Sequence, residues 1–390
     1  MKSNNIKIVK KANKFLVLEV IREYECITVE GIINRTGLSR PTVLNIIKEL
    51  LQDNIIIKSG YASSDIGRQP VLYSINANGF FAMGIDFDGP PVRLAISNLN
   101  GEPIYTSYWE IDLEDSIENI FNTIIENINK AIIETGIEIS KILGLGLGLP
   151  AVIDKSKNKP VIISRISQWR DIALDVFIKS KTGLDVYVKN DAHLLGLAEK
   201  NFIKNTEDII YIIHRSGIGA SIIMNGKLYD GNNGNSGYIG HTVINFNGKR
   251  CDCGEKGCLE TYCSKRAIVE EYYDCTGQKK SYYEIIKAAE KRDQNAIDIL
   301  ASAGEVLGLG ISNIIKSYDI YTVVIGDLKC SENHLFFKII KEAVKRSTKS
   351  FALKPPKVIL GKLKEENFGL GGCHYVLGNF FSSPRLTLKV

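Results

Sequence analysis

The chain has 390 residues, 44% of them hydrophobic, and a formal net charge of +5. No apolar stretch reaches the roughly 18 residues that a membrane-crossing helix needs. The opening segment MKSNNIKIVKKANK carries no signal-peptide core. We therefore expect a cytoplasmic protein of two or three domains without membrane insertion. Residues 1–78 hold 11 Lys/Arg against 7 Asp/Glu, so this end is the expected docking site for an acidic partner.

The first predicted elements form a helix-turn-helix. Apolar residues at helical spacing predict a helix over residues 15–24, and Thr28 is the expected cap of a second helix over residues 29–35. A tight turn then leads to Ser39, the predicted cap of a helix from about residue 40 to residue 52. Two strands follow, joined by a basic hairpin, so the module is predicted to be winged.

The third helix has one face that can pack and another that can reach a DNA groove. Its packing residues are Val43, Ile46, Ile47 and Leu50. The candidates for base-edge contacts are Arg40, Thr42 and Asn45, and those for phosphate contacts are Ser39, Lys48, Lys10, Lys11 and Lys14. Arg68, near the wing tip, is the candidate for a minor-groove contact. The alternative is a small helical protein-interaction domain whose charges are only a solvated face.

Strands and helices alternate from residue 79 onward. The first set comprises strands over residues 80–87, 92–97, 104–109 and 141–149, with a helix over 117–136. The order partly recurs in a helix over residues 192–201, strands over 209–214, 219–224, 227–228 and 320–325, and a helix over 295–316. This repetition predicts two related α/β lobes with a cleft between them. A last helix, near residues 370–381, is expected to return to the first lobe.

The segment HTVINFNGKRCDCGEKGC offers one imidazole and three thiols within a short stretch. Its potential ligands are His241, Cys251, Cys253 and Cys258, the ligand set of a closed tetrahedral zinc site. Gly254 and Gly257 allow the loop to fold back so that the sulfurs converge. We predict a structural Zn²⁺ here. The alternative is a set of ordinary reduced thiols, which is also the interpretation we favour for the other five cysteines.

Three motifs together resemble the ROK family, named for repressors, open reading frames and sugar kinases. They are GLGLPAVID at residues 146–154, VKNDAHLLGLAE at 188–199 and GNSGYIGHTVINFNGKRCDCGEKGCLE at 234–260. With the winged domain, the resemblance points to the repressor branch, similar to xylose- and N-acetylglucosamine-type repressors. It implies two actin-like, ribonuclease H-like lobes. The expected domains are 1–78, 79–195 completed by a helix from 371–390, and 196–370 with the zinc site and an oligomerisation surface.

The same resemblance implies a sugar site in the cleft. Its expected ligand-binding residues are Asn190, Asp191, Tyr238, His241 and Glu260. His241 would use one ring nitrogen for zinc and the other for the sugar, so the metal would fix the orientation of the ring. Relatives usually carry Glu at the position of Tyr238, and this change argues against a plain hexose. Trp169 is expected either at the mouth of the cleft or in the core.

The alternative interpretation as an enzyme is a sugar kinase. Sugar kinases of this fold grip ATP through two Gly-rich turns, but the first turn here is the segment Asp86 to Pro91, in which a carboxylate and two prolines oppose phosphate binding. The second turn, Ser216 to Gly219, is closer to the family form. Asp191, the general base in kinase relatives, would then serve ligand binding instead. We therefore expect no enzyme activity.

The function predicted from the sequence is that of a repressor. A homodimer or dimer of dimers would bind a double-stranded, inverted-repeat operator and release it when a sugar or sugar derivative enters the cleft. A link to xylose or other carbohydrate metabolism is expected. Control by sequestration on a transporter protein remains an alternative.

Overall fold

The computed structural model describes residues 2–63, 69–154, 158–163, 173–203 and 206–382. It has the predicted α/β fold, with a winged helix-turn-helix followed by two lobes. The winged domain contains α1 (Lys2–Glu23), β1 (Ile27–Thr28), α2 (Val29–Thr36), α3 (Arg40–Gln52), β2 (Ile56–Tyr61) and β3 (Val71–Ile75). Its strands form one antiparallel sheet in the order β1-β3-β2.

Capping explains where the short helices of the winged domain begin. At the start of α2 the Thr28 hydroxyl accepts a hydrogen bond from Gly31 N at 3.1 Å, as predicted. Ser39 precedes α3, but its side chain does not cap a backbone amide; its hydroxyl lies 2.9 Å from that of Thr42. Helix α1 begins at Lys2 rather than at residue 15. Its apolar residues, including Leu18, still form the predicted contact with the core.

The first lobe is built on a five-stranded mixed sheet. Its elements are β4 (Phe81–Asp86), β5 (Val92–Asn98), β6 (Pro103–Trp109), α4 (Ile117–Thr135), β7 (Ile142–Leu149), β8 (Ala151–Asp154), β9 (Lys159–Ile163), α5 (Leu174–Thr182), β10 (Val186–Asn190) and α6 (Asp191–Lys200). The sheet order is β10-β7-β4-β5-β6; strand β5 is antiparallel to both of its neighbours, and the other four strands run in one direction. Strands β8 and β9 form a separate hairpin.

The second lobe repeats this topology. Its elements are β11 (Ile209–His214), β12 (Ile218–Met224), β13 (Lys227–Leu228), α7 (Glu260–Cys263), α8 (Lys265–Thr276), α9 (Tyr282–Glu290), α10 (Gln294–Tyr318), β14 (Thr322–Gly326), α11 (Leu335–Thr348) and β15 (Lys357–Leu360). A final helix, α12 (Leu370–Ser382), follows them in the chain. The sheet order is β13-β12-β11-β14-β15, again with one strand, β12, antiparallel to the other four. The carboxyl ends of the parallel strands therefore bring loops from both lobes to the cleft.

The last helix, α12, lies directly on the sheet of the first lobe. A β-carbon added to Gly146 would stand 2.5 Å from Gly372 Cα, and one added to Gly372 would stand 2.7 Å from Gly84 Cα. These distances are too short for any side chain, so glycine is required on both the helix and the strands. At its far end α12 meets the winged domain, where the Arg22 guanidinium lies 4.9 Å from the Phe381 ring centroid. The predicted residues 383–390 of this helix lie outside the described residues.

The expectation that no apolar segment is long enough to span a membrane was wrong for helix α10. By length and composition it would qualify, but 56% of its most apolar window is buried inside the fold. Its buried residues, including Leu300, Leu307 and Ile311, belong to the core of the second lobe. In this structure α10 is a core helix.

Candidate functional site

The outward face of α3 carries the residues predicted to contact DNA. Val43, Ile46, Ile47 and Leu50 are buried, as the pattern predicts. Ser39, Arg40, Asn45 and Lys48 are exposed and Thr42 is half-buried. Arg40 Nη1 lies 2.7 Å from Glu30 Oε2, but both side chains are exposed, so this ion pair holds the arginine only weakly.

The first helix shares this surface with α3. Val9, Lys10 and Asn13 line a groove of about 440 Å³ together with residues of α3 that include Thr42 and Asn45. Lys10 and Lys11 are exposed. The expectation for Lys14 needs correction, because Lys14 is only 8% exposed and its ammonium lies 2.7 Å from Asp53 Oδ2. Lys14 therefore forms an ion pair within the winged domain and is not exposed for a phosphate contact. Arg68 falls outside the described residues.

The second candidate site is a cavity of about 420 Å³ between the lobes. This volume lies within the range of about 300–1,000 Å³ that is usual for small-molecule sites. The cavity is lined by all five residues predicted to bind a sugar, namely Asn190, Asp191, Tyr238, His241 and Glu260. Residues from both lobes contribute, because Asn190 ends β10 and Asp191 begins α6, whereas Glu260 begins α7. Trp169 lies outside the described residues.

Tyr238 connects the two walls of this cavity. Its hydroxyl donates a hydrogen bond to Ala151 O at 2.6 Å, and the Asn190 amide lies 3.4 Å from the same oxygen. Its ring stacks on that of His241, with centroids 6.3 Å apart and planes 20° apart. Burial, followed by the nearby Asp191 carboxylate, raises the pKa of Tyr238, so the phenol stays neutral and can donate its hydrogen bond to Ala151 O.

The four predicted metal ligands converge at one edge of the cavity. The ligand atoms of His241, Cys251, Cys253 and Cys258 all lie within 4.8 Å of one another. Cys251 Sγ is 3.6 Å from His241 Nδ1, and the Cys253 and Cys258 sulfurs are also 3.6 Å apart. Ligands held at about 2.3 Å in a tetrahedron would be separated by about 3.7 Å. The cluster therefore fits a metal ion, and its donor set matches the set preferred by zinc.

Burial raises the pKa of the Cys251 and Cys258 thiols, with the neighbouring thiols and Glu260 contributing. A bound divalent cation reverses this effect, because it stabilises the thiolate form of its ligands. When bound, the ion would hold the segment 241–258 together and fix the His241 ring. Glu260 Oε1 lies 3.4 Å from Cys251 Sγ and 3.7 Å from His241 Nδ1, so the carboxylate connects this cluster to the cavity.

A network of ion pairs occupies the other end of the cavity, and Arg215 lies at its centre. Arg215 Nη2 is 3.0 Å from Asp86 Oδ2, and Nη1 is 3.3 Å from Asp88 Oδ2 and 3.4 Å from Asp191 Oδ2. Its Nε lies 3.8 Å from Asp327 Oδ2. Burial lowers the pKa of Arg215, but these four carboxylates together raise it well above its ordinary value. The guanidinium is thus a permanent buried cation.

Asp191 is unusual among the carboxylates of this network. Burial, followed by the charge of Asp88, raises the pKa of Asp191 to about 7, while the positive charge of Arg215 opposes the increase. A carboxyl with a pKa near 7 changes its hydrogen-bonding character around neutral pH, because it accepts when ionised and donates when protonated.

Two further groups of the cavity, the Arg215 guanidinium and the Ser216 hydroxyl, were not predicted from the sequence as ligand-site residues. The Ser216 oxygen is buried, lines the cavity, and has no hydrogen-bond partner among the described residues. A signal for Arg215 was available, since an arginine directly after the apolar strand IIYIIH and before a Gly-rich turn is out of place in a strand connection. What the sequence did not indicate was the set of carboxylates around it.

Comparison with known proteins agrees with this architecture. The ROK family profile matches residues 82–377, and a profile described as winged helix-turn-helix DNA-binding matches residues 11–57. The chain is 31% identical to the xylose repressor of Bacillus subtilis, over 81% of this chain and 82% of that protein. It is 28% identical to the xylose repressor of Caldicellulosiruptor bescii, over 97% and 99%.

Solved structures show the same fold. A ROK family transcriptional regulator, described as a homologue of the E. coli MLC protein, superposes with a TM-score of 0.82 at 22% identity, over 96% of this chain and 97% of that chain. A ROK family glucokinase from Streptomyces griseus, in complex with glucose and AMPPNP, superposes with a TM-score of 0.67 at 22% identity. That similarity covers 76% of this chain and 98% of the kinase.

The fold and the matched profiles define a two-lobed α/β protein that carries an N-terminal winged helix-turn-helix DNA-binding domain. The chain belongs to the ROK family. The arrangement of its domains is that of the repressors to which it is similar, because their likeness extends through the winged domain, whereas the kinase likeness covers 76% of the chain.

Proposed function

We propose that this protein is a sugar-responsive transcriptional repressor. The observation that carries the proposal is the presence in one chain of a winged helix-turn-helix and of a cavity lined by all five predicted sugar-binding residues. The similar proteins named xylose repressor and N-acetylglucosamine repressor support it. A homodimer or dimer of dimers, joined through the second lobe (residues 196–370), would bind an inverted-repeat operator through two copies of α3. Such a repressor would act in the cytoplasm.

The effector would bind in the cleft through groups that match sugar hydroxyls. Hydroxyls both donate and accept, and the predicted sugar-binding residues offer two carboxylates, an amide and an imidazole. His241 Nδ1 faces the thiols, so Nε2 is the nitrogen left for the ligand. The Tyr238 hydroxyl already donates to Ala151 O. Its aromatic ring thus stands where relatives usually carry a carboxylate, which favours a sugar that makes fewer polar contacts, such as a pentose. Xylose is the first candidate.

A structural Zn²⁺ at the cluster of His241 and the three cysteines is part of the proposal. The ion would bring no chemistry of its own to a ligand. It would restrict the loop 241–258, which supplies one wall of the cavity.

Arg215 also argues against phosphoryl transfer in this cleft. It directly precedes the second Gly-rich turn and contacts Asp86 and Asp88 of the first turn. Carboxylates of the first turn therefore occupy the guanidinium N–H donors that a phosphate would need. Asp86 and Asp88 also place negative charge between the two turns, where the phosphates of a nucleotide would have to lie. We therefore keep the proposal of a binding protein that is not an enzyme.

Operator binding tests the proposal directly. Fragments from the chain's own promoter region would be bound in an electrophoretic or fluorescence assay, with and without D-xylose, N-acetylglucosamine and their phosphates. We expect Asn45→Ala and Arg40→Ala each to cost about 1–3 kcal/mol and to relax sequence preference, and Lys48→Ala to weaken binding uniformly and lower the salt slope by about 1. Lys349→Ala, an exposed lysine of the second lobe, is the matched control.

The absence of any sugar effect on operator binding would contradict this proposal. If no sugar or sugar phosphate changes operator affinity, the protein is not controlled by a carbohydrate in the cleft. Retention by membrane vesicles that contain a sugar transporter, together with no sugar response, would favour control by sequestration instead.

A further inference from the structure

The ion-pair network around Arg215 joins the two lobes at the floor of the cleft. Arg215 follows β11 of the second lobe, whereas Asp86, Asp88 and Asp191 belong to the first lobe. All three contacts lie between 3.0 and 3.4 Å, and Arg215 is only 7% exposed. Burying a guanidinium and several carboxylates is costly unless they are well paired, so any separation of the lobes at this point leaves buried charges uncompensated.

Residues of the second lobe also fix the Arg215 side chain. Asp327, at the end of β14, lies 3.8 Å from Arg215 Nε and is itself 2.7 Å from the Lys265 ammonium and 2.9 Å from that of Lys329. The Phe368 ring packs against the guanidinium, with its centroid 4.6 Å from Cζ. The planar fork is therefore fixed in direction, as arginine permits and lysine does not.

Asp191 differs from the other carboxylates because it also lines the ligand cavity. One of its oxygens, Oδ2, contacts Arg215 Nη1 at 3.4 Å. Since the residue begins α6, the orientation of its side chain depends on this contact and on the backbone of the helix start. A ligand that binds the carboxylate would thus meet a group whose orientation and charge are controlled from the opposite lobe.

We propose that Arg215 is a positioning residue for the ligand site, which holds the Asp191 carboxylate toward the cavity and clasps the two lobes together. This inference rests on the role in ligand binding proposed above for Asp191. It gives Arg215 a second role besides its pairing with the carboxylates of the first Gly-rich turn. The guanidinium makes the geometry of the cleft depend on a set of interlobe ion pairs, and a ligand of Asp191 can strengthen or weaken one of them.

The experiment compares Arg215→Met, which removes the charge at similar volume, with Arg215→Lys, which keeps the charge without the fork. Arg346→Met is the matched control. Arg346, on α11 of the second lobe, pairs with Glu305 of the same lobe and is not among the residues that line the cavity. D-xylose binding would be measured by calorimetry from pH 5.5 to 8.5. Hydrogen exchange of residues 86–94 and 191–200 would be measured without sugar.

We expect D-xylose to bind Arg215→Met at least about tenfold more weakly, a loss equivalent to one pKa unit of interaction energy. We expect faster exchange in both segments, an intermediate result for Arg215→Lys and wild-type behaviour for Arg346→Met. The pH midpoint of binding gives a readout that a purely structural role would not move. Asp191 faces the charges of Asp86, Asp88 and Arg215 and the phenol of Tyr238. Without the cation its pKa rises, so the midpoint should move to higher pH.

Unchanged exchange and an unchanged pH midpoint in Arg215→Met overturn the inference. If that variant does not fold, Arg215→Met combined with Asp86→Asn, which removes one uncompensated carboxylate, takes its place, with Asp86→Asn alone as its control. Failure of the wild-type protein to bind D-xylose would count against the proposed effector. The exchange experiment would still decide whether Arg215 clasps the lobes, so the two proposals fail separately.

Discussion

The two ends of the interlobe cavity are both polar but are built in different ways. At one end, His241 and three cysteines come from a single segment of 18 residues, 241–258, within the second lobe. At the other end, Arg215 gathers carboxylates from both lobes, including Asp86 and Asp327. The first end is complete as soon as one loop folds. The second exists only when two sheets, far apart in the chain, have closed on each other.

The two ends differ in how a ligand could act on the molecule. A metal ion bound within one loop would make one wall rigid, but it would not respond to the distance between the lobes. Ion pairs that cross the cleft respond to that distance, because their energy depends on both separation and desolvation. We therefore expect changes at the metal end to affect stability most strongly, and changes at the Arg215 end to affect pH dependence and lobe closure.

The largest effect is expected from loss of a metal ligand. Cys258 is fully buried and belongs to the cluster, so Cys258→Ser should abolish stoichiometric zinc and lower the free energy of unfolding by at least about 4 kcal/mol. Elemental analysis and urea unfolding of the purified protein would measure both. Cys275→Ser, at an exposed cysteine outside the cluster, should change neither. Equal zinc content in wild type and Cys258→Ser would show that Cys258 is not needed for zinc binding and would contradict the proposed metal site.

The next effect concerns the pH dependence of stability at the Arg215 end. The pKa of Asp191 is about 7 in the folded protein, against about 3.9 in an unfolded chain. A raised carboxyl pKa costs stability above pH 7, and this cost disappears as the pH falls towards about 4. Asp191→Asn should therefore stabilise the protein by about 2–4 kcal/mol more at pH 8 than at pH 4.5.

Urea unfolding at the two pH values measures this difference, with exposed Asp274→Asn as the control. The same Asp191→Asn variant should lose sugar affinity if the carboxylate binds hydroxyls. A stability gain that does not depend on pH would show that ionisation of the buried Asp191 carboxyl does not destabilise the folded protein.

The smallest effect is expected at Tyr238, which lies between the two ends. Tyr238→Phe removes its hydrogen bond to Ala151 O, so the free energy of unfolding should fall by about 0.5–1.5 kcal/mol. Sugar affinity should change little, because the hydroxyl is already engaged by the protein. Tyr61→Phe, on an exposed strand, is the control. A loss of sugar affinity beyond about tenfold would mean that the hydroxyl leaves Ala151 to contact the ligand.

Local elements were the most predictable from sequence. Strand β3, helix α3 and the cap of α2 at Thr28 agree with their predictions, because turn residues and apolar periodicity act over a few positions. The side-chain partners of individual polar residues were not predictable. Ser39 bonds to Thr42 instead of capping the backbone, and Lys14 is drawn into a contact with Asp53. Such choices depend on which acceptor the packed neighbours bring within reach.

Short stretches of sequence were enough to indicate the family resemblance, the winged module and the four candidate metal ligands, because the spacing of their residues dictates the local geometry. Only the packing of the two lobes brings Arg215 to Asp86, Asp88 and Asp191, and the Tyr238 hydroxyl to Ala151 O. These partners are separated by 24 to 129 positions along the chain. They meet only where two separately folded sheets close, and buried charges at such a junction are stable only once every partner is in place.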